Sequence, residues 1–278
     1  MSARVRLKLT LAFEGTRFWG WQLQHGKRTV QGVVEAAAAR LAGEPVRVQG
    51  ASRTDSGVHA LGMVAHVDIP EGRRHLPWQR ALNALLPEDV AALAAEEAPP
   101  GFHARYCAIS KVYSYTLWTR PDYLLPQRRN FVWACGPLDL AAVDRAMALF
   151  VGRHDFKSFQ NTGTPILNTL RSVLAFSREP GVRPEEVVLR IRADGFLKQM
   201  VRNIVGCLVA VGRGKVPPET VRSLLNEGDR TKAPATAPGR GLCLELVSYG
   251  EAEHGRDSVE PDVRDRLPGE EDDAGLGD

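Results

Sequence analysis

The sequence predicts an α+β fold. Two split-βαβ halves, ferredoxin-like/RRM-like in plan, form one extended mixed, mainly antiparallel sheet with helices on one face and a functional cleft between the halves. Three observations predict it. Arg4 to Phe13 alternates strictly, as a half-buried strand does. The order strand, helix, strand, strand, helix, strand occurs twice along the chain. With 44% hydrophobic residues in 278, the chain can bury a sizeable core, as one long domain or two units.

In the first half, Val5, Leu7, Leu9, Leu11 and Phe13 share one strand face, opposite Arg4, Arg6, Lys8 and Thr10. Val30, Val33, Val34, Ala37 and Leu41 then recur at helical spacing, with Thr29 as N-cap and Gly43 as stop. Strands follow at Val46 to Gln49 and Val58 to Val67, then a short helix from Trp78 to Leu86 and a weaker strand from Val90 to Glu97. The second half opens with a strand at Lys111 to Thr119. Leu140, Val143, Met147 and Phe150 mark a helix face begun by Asp139 and ended by Gly152. Strands at Arg171 to Ser177 and Glu186 to Ala193, helices from Lys198 to Val211 and around Glu219 to Leu225, and a last strand from Leu242 to Val247 complete it. The repeat lies in the order of elements, not in residue identity.

These elements divide the chain into residues 1–104, residues 105–250 and a tail, 251–278. Low apolar content, prolines and acidic runs such as Glu270-Glu271-Asp272-Asp273 predict that the tail is disordered. Its 11 acidic and 3 basic residues also mask the charge of the rest. The whole chain is +3, whereas the first 250 residues carry 33 basic against 22 acidic side chains. Such an excess suits a polyanionic partner, nucleic acid above all, or simply a well-solvated surface.

Cys107, Cys135, Cys207 and Cys243 show no C-x-x-C spacing, which speaks against a zinc site or a disulfide framework and for buried, reduced thiols. The start, MSARVRLKLTLAFEG, lacks the continuous apolar core of a signal peptide. The apolar run Asn203 to Gly212 is far short of the about 20 residues that span a bilayer. A cytoplasmic protein without membrane attachment is the expectation by elimination.

Chemistry concentrates in Gln49-Gly50-Ala51-Ser52-Arg53-Thr54-Asp55-Ser56-Gly57-Val58-His59-Ala60, a glycine-flanked turn between two apolar strands. Asp55 there is either an Asx-type turn former or a functional carboxylate, and Arg53, two positions away, can point to the same side. Arg202 lies in Met200-Val201-Arg202-Asn203-Ile204-Val205-Gly206, where a guanidinium has little solvent face and either snorkels or needs a partner. If Asp55 is that partner, the cation keeps the carboxylate ionised while being neutralised itself, the state a nucleophilic carboxylate requires. Tyr113 and Tyr115 share one strand face, as core residues or as a stacking platform for an unstacked base.

The string Arg53-Thr54-Asp55-Ser56-Gly57-Val58-His59-Ala60 resembles the R-T-D-x-G-V-H-A signature of the tRNA pseudouridine synthase A family. Phe18-Trp19-Gly20-Trp21-Gln22, Phe102-His103-Ala104-Arg105, Lys111-Val112-Tyr113-Ser114-Tyr115, Gly152-Arg153-His154-Asp155-Phe156, Met200 to Gly206 and Gly241-Leu242-Cys243-Leu244 are similar to its other motifs, in its order. The resemblance spans about Val5 to Gly250. It implies isomerisation of uridine to pseudouridine at positions 38, 39 and 40 of the tRNA anticodon stem-loop, by a homodimer, without metal or organic cofactor. It implies Asp55 as nucleophile, Arg202 as its partner, and Tyr113 as the ring against the target base and a candidate for handling the C5 proton. Arg53 would help hold the nucleotide out of the stack, and Leu242 would contact the base. Attack at uracil C6, attack at ribose C1′ and a glycal route all fit. Arg17, Lys27, Arg28, Arg153 and Lys157 are candidate phosphate contacts. Ser52 departs from the glycine that many members carry, a change expected to alter the turn slightly and leave Asp55 in place.

Three rivals stand beside this reading. A metal-dependent hydrolase built on Asp55, His59, His66 and His103 lacks a helix-face pair such as H-E-x-x-H, and His59 suits structural hydrogen bonds in the turn better. A non-catalytic RNA-binding module fits the split-βαβ plan. A related synthase acting on another RNA fits the chemistry.

Overall fold

In the computed structural model, which describes residues 3–161 and 168–250, the alternating segments pair as a ten-stranded sheet. The first half supplies β1 (Arg4–Phe13), α1 (Val30–Ala42), β2 (Val48–Gly50), β3 (His59–Pro70), α2 (Trp78–Asn83) and β4 (Val90–Glu97). The second supplies β5 (Ala108–Trp118), β6 (Trp133–Ala134), α3 (Leu140–Ala148), β7 (Gly152–Asp155), β8 (Leu170–Pro180), β9 (Glu186–Ala193), α4 (Met200–Gly212), α5 (Thr220–Glu227) and β10 (Leu242–Tyr249). The strand order is β4-β1-β3-β10-β5-β9-β8-β7, with β2 also on β3 and β6 also on β5. Each half therefore has the split-βαβ order, β4-β1-β3-β2 in the first and β10-β5-β9-β8 in the second. The fold is α+β, as the sequence predicts.

The period-2 pattern of β1 decides which face is buried. Leu7, Leu9 and Leu11 stand opposite Val67, Ala65 and Met63 of β3, and all six are buried. A one-residue slip would turn this whole row to solvent, so the register is strongly specified. The helices begin and end as their caps dictate. Thr29 accepts a hydrogen bond from the Gly32 N–H and Gly43 closes α1 in the left-handed region, while Asp139 accepts from the Ala142 N–H at the start of α3.

The seam between the halves positions the site. Antiparallel pairing dominates the sheet, but, like the short β6 on β5, β10 lies parallel to β3, with Cys243 opposite His59 and Leu244 opposite Ala60. The same edge of β3 is taken further along by β2, from Gly50 opposite Ala65 to Val48 opposite Val67. One strand edge thus serves two partners, and the chain between β2 and β3, residues 51–58, has to turn out where β10 enters. The connection between the halves is fastened nearby: Ala104 donates its N–H to His66 Nδ1 at 3.2 Å, and the Tyr249 hydroxyl donates to the Ala104 carbonyl at 2.7 Å.

The structure departs from expectation in a few places. Helix α2 stops at Asn83 rather than Leu86, because the Asn83 carboxamide exchanges two 2.8 Å hydrogen bonds with the Ala92 backbone and ties the helix end to β4. Gly152 does not stop α3, which ends at Ala148; it opens β7 with φ 112°, and β7, like β6, was not expected. The four cysteines are free, but only Cys135 and Cys207 are buried; Cys243 is part-exposed and Cys107 exposed. No helix of the described residues is long and apolar enough to cross a membrane. The tail expected to be disordered lies outside the described residues.

Candidate active site

The turn that carries Asp55 is clamped by the segment Phe18 to Trp21. Trp21 donates its N–H to the Thr54 carbonyl at 3.0 Å, and the Ser56 hydroxyl donates to the Phe18 carbonyl at 3.1 Å. Gly20 makes the contact possible: its φ is +88°, and a Cβ there would fall 2.4 Å from the Thr54 carbonyl oxygen. Below the turn, the buried Trp21 ring lies where a side chain on Gly50 would have to go. From the other half, Gly239 presses on the Ser56 carbonyl, with a hypothetical Cβ at 2.5 Å. The backbone around Asp55 is thus fixed from both halves.

Arg202, in the first turn of α4, donates Nη1–H to Asp55 Oδ2 at 2.9 Å. The two side chains keep only 16% and 22% of their exposure, so the pair is screened far less than one at the surface. The strand of chain that crosses α4 aims the guanidinium: Arg202 Nε–H donates to the Ala237 carbonyl at 2.8 Å, and the Ala237 N–H donates back to the Arg202 carbonyl at 3.0 Å. That crossing needs Gly206, where a Cβ would lie 2.0 Å from the Ala235 carbonyl oxygen. Arg230 adds to the brace, reaching the Asn203 side chain and the carbonyls of Ala233 and Pro234.

Tyr113, on β5, is only 6% exposed, and its hydroxyl meets Ser52 Oγ at 2.8 Å. Phe196 stands edge-on to its ring, with centroids 5.2 Å apart. Burial pushes the Tyr113 phenol up to about 12, the Asp55 charge acts in the same direction, and the Ser52 hydrogen bond opposes them. Tyr113 is therefore a neutral phenol near pH 7. Tyr115, on the same face, donates its hydroxyl to the Pro238 carbonyl at 2.8 Å and packs on Gly241, where a Cβ would come within 2.5 Å of the ring. It holds the 238–241 turn rather than the site. Leu242 begins β10 opposite Tyr115 and is buried, and Arg53 is exposed beside Asp55 in the turn.

The sequence-predicted groups Asp55, Arg202 and Tyr113 thus meet at the seam, with Arg53 and Leu242 on its margin. Ser52, read from the sequence only as a slight change to the turn, meets Tyr113, and that contact spans 61 residues of chain. His59 is structural: Nδ1 accepts from the Gly15 N–H at 3.1 Å, and Nε2 faces the carbonyls of Asn130 at 2.8 Å and Arg240 at 3.2 Å. Burial lowers its pKa, in keeping with a neutral ring whose Nε2 carries the proton. Arg28 holds the buried Asp89 carboxylate with both Nη groups at 2.8 Å, and Arg17 faces Glu88 and Asp89. These two arginines, candidate phosphate contacts in the sequence, are paired with acidic side chains of the loop before β4. Lys27 sits over the exposed Trp19 ring, 4.0 Å from its centroid.

A part-buried carboxylate paired with a guanidinium and flanked by a neutral phenol is equipped for nucleophilic attack and proton handling on a bound ring. The family model described as tRNA pseudouridine synthase matches residues 10–107 and 146–250. The tRNA pseudouridine synthase A of Maridesulfovibrio salexigens is 58% identical over 246 residues, covering 88% of this chain and 91% of that one. The protein of the same name from Solidesulfovibrio magneticus is 57% identical over 251 residues, with 88% and 92% covered, and that of Methylococcus capsulatus is 43% identical over 248, with 89% and 90% covered. Among solved structures, the archaeal box H/ACA sRNP Nop10-Cbf5 complex is matched over 73% of this chain and 43% of that one, at 11% identity and a TM-score of 0.34. This chain belongs to the tRNA pseudouridine synthase family.

Proposed function

We propose that this chain isomerises uridine to pseudouridine at positions 38, 39 and 40 of the tRNA anticodon stem-loop, with Asp55 as nucleophile. The Asp55–Arg202 contact at 2.9 Å is the observation that supports this most, because it orients a part-buried carboxylate in a chain of the tRNA pseudouridine synthase family. The target uridine leaves the stack, which costs a few kcal/mol. Arg53 holds it out, Leu242 contacts the base, and the Tyr113 ring stands against it. Asp55 bonds to the nucleotide as the glycosidic bond from N1 to C1′ breaks, the uracil turns, C5 bonds to C1′, and the bond to Asp55 breaks again; C5 gives its proton to solvent while N1 takes one up. The isomerisation is redox-neutral, and in this reading it proceeds without metal or organic cofactor. In this reading residues 1–104 bring the nucleophile, residues 105–250 bring Tyr113 and Arg202, and 251–278 is an acidic tail outside the chemistry. Two copies of the chain form a cytoplasmic homodimer, and tRNA contacts both subunits.

The test uses tRNA tritiated at uridine C5. The wild-type protein releases label to water, and Asp55→Asn binds tRNA with unchanged affinity but releases none. Undiminished release by Asp55→Asn would refute the assigned nucleophile.

A further inference from the structure

The residue beside the site that its chemistry leaves unassigned is Ser52. Its backbone does not explain it. Among the described residues Gln199 is the non-glycine residue with positive φ, so position 52 adopts a conformation open to any side chain. Its place is fixed by its neighbour, since the Ala51 N–H donates to the Val64 carbonyl at 2.8 Å. From there Ser52 Oγ reaches the Tyr113 hydroxyl at 2.8 Å, across 61 residues and from the loop that carries Asp55 three residues later.

A buried neutral phenol has one proton and one rotor, and whichever group it bonds decides what it presents elsewhere. When Tyr113 donates to Ser52, its oxygen lone pair is left for a bound base; when Ser52 donates to Tyr113, the phenolic O–H is left for it. A serine hydroxyl supports both arrangements, and alanine or glycine supports neither. We propose that Ser52 is a positioning residue of this enzyme: through Oγ it sets the direction of the Tyr113 hydroxyl toward the bound uracil and ties that direction to the turn holding Asp55. The inference rests on the role given to Tyr113 above. It also turns the serine from a tolerated departure into a working one.

Single-turnover release of C5 tritium, together with tRNA affinity and thermal midpoint, tests it in Ser52→Ala, Ser52→Gly and Ser52→Thr, and in the same changes on a Tyr113→Phe background. Loss of one such hydrogen bond corresponds to a rate reduced about threefold to tenfold. The expected result is that slowing in both Ser52→Ala and Ser52→Gly, with tRNA affinity and midpoint unchanged, recovery in Ser52→Thr, and no effect of any of them once Tyr113 is phenylalanine. A merely structural serine would shift the midpoint and act equally in both backgrounds. Wild-type rate in Ser52→Ala, or equal slowing on the Tyr113→Phe background, overturns the inference and leaves the reaction standing. Undiminished rate in Tyr113→Phe alone overturns the role of Tyr113, and the inference falls with it.

Discussion

Arg202 and Asp55, 147 positions apart in sequence, form one ion pair with a single guanidinium held at two points. Nε–H is fixed on the Ala237 carbonyl at 2.8 Å while Nη1–H holds Asp55 Oδ2 at 2.9 Å. A planar fork meets the two acceptors with two nitrogens in fixed directions, whereas an ammonium donates from a single point on a flexible stem and fixes no such angle. Arg202→Lys is therefore expected to lose orientation of the carboxylate while keeping its charge partner. The expected outcome is a kcat reduced by about 100-fold or more, with tRNA affinity within about threefold of wild type. Steady-state kinetics beside filter binding check this, and a lysine variant retaining most of its kcat contradicts it.

The contact between Gly20 and the Thr54 carbonyl yields a second expectation. Gly20→Ala combines a left-handed φ of +88° with a Cβ only 2.4 Å from that oxygen, so the Asp55 turn has to move. Gly26→Ala is the control, since Gly26 has φ +67° and nothing within 4 Å of a new Cβ. Both variants should lose about 1 kcal/mol or more to backbone strain, read from urea midpoints. Gly20→Ala alone should also slow single-turnover isomerisation. Equal activity in the two variants would show that the clamp does not position Asp55.

Much of this arrangement is legible in the sequence because it is local. Alternation in Arg4–Phe13 places Leu7, Leu9 and Leu11 in the core, and Thr29 and Asp139 announce their helices through hydrogen bonds to residues three positions on. Arg202 betrays a partner because its neighbours are apolar. What is not legible depends on pairing between distant segments. Nothing in Leu242–Tyr249 states that β10 will run parallel to β3, and nothing around Ser52 names Tyr113. Helix α2 ends early for a similar reason, since Asn83 is tied to Ala92 on the next strand. Arg17 and Arg28 look like phosphate ligands in sequence, and only the fold brings Asp89 to them.

His66 predicts how stability follows pH. It is 2% exposed, Nδ1 accepts the Ala104 N–H, and burial, aided by the nearby His103 and Arg6 and opposed by Asp68, lowers its pKa from 6.5 to about 4. In the unfolded chain the ring takes up a proton near its ordinary value, whereas the folded ring stays neutral until about pH 4. The unfolded state thus binds more protons in that window. Stability is full above 6.5, declines as pH falls toward about 4, and loses at most about 3 kcal/mol to this group. His66→Asn, which offers an acceptor that does not titrate, should flatten that part of the curve. Urea denaturation at stepped pH is the measurement, and a variant curve parallel to the wild type from 6.5 to 4 contradicts the assignment.

Arg53 predicts an effect that depends on the substrate. It is exposed in the turn beside Asp55, where it can act on a nucleotide leaving the stack. If its work is to hold the uridine out, its removal should matter most when extrusion is hardest. Extrusion costs a few kcal/mol from a paired stem and less from a mismatch. Arg53→Ala is therefore expected to reduce the single-turnover rate on a fully paired anticodon stem by about tenfold or more, and to do so far less on a tRNA whose target uridine is mispaired. A side chain that merely contacts phosphate behaves otherwise: its loss weakens binding alike for both substrates and lowers the salt dependence of affinity by about one unit of slope. Rates on the two tRNAs, with affinities across a salt series, separate the two roles. An equal rate deficit on paired and mispaired stems would move Arg53 from extrusion to the backbone.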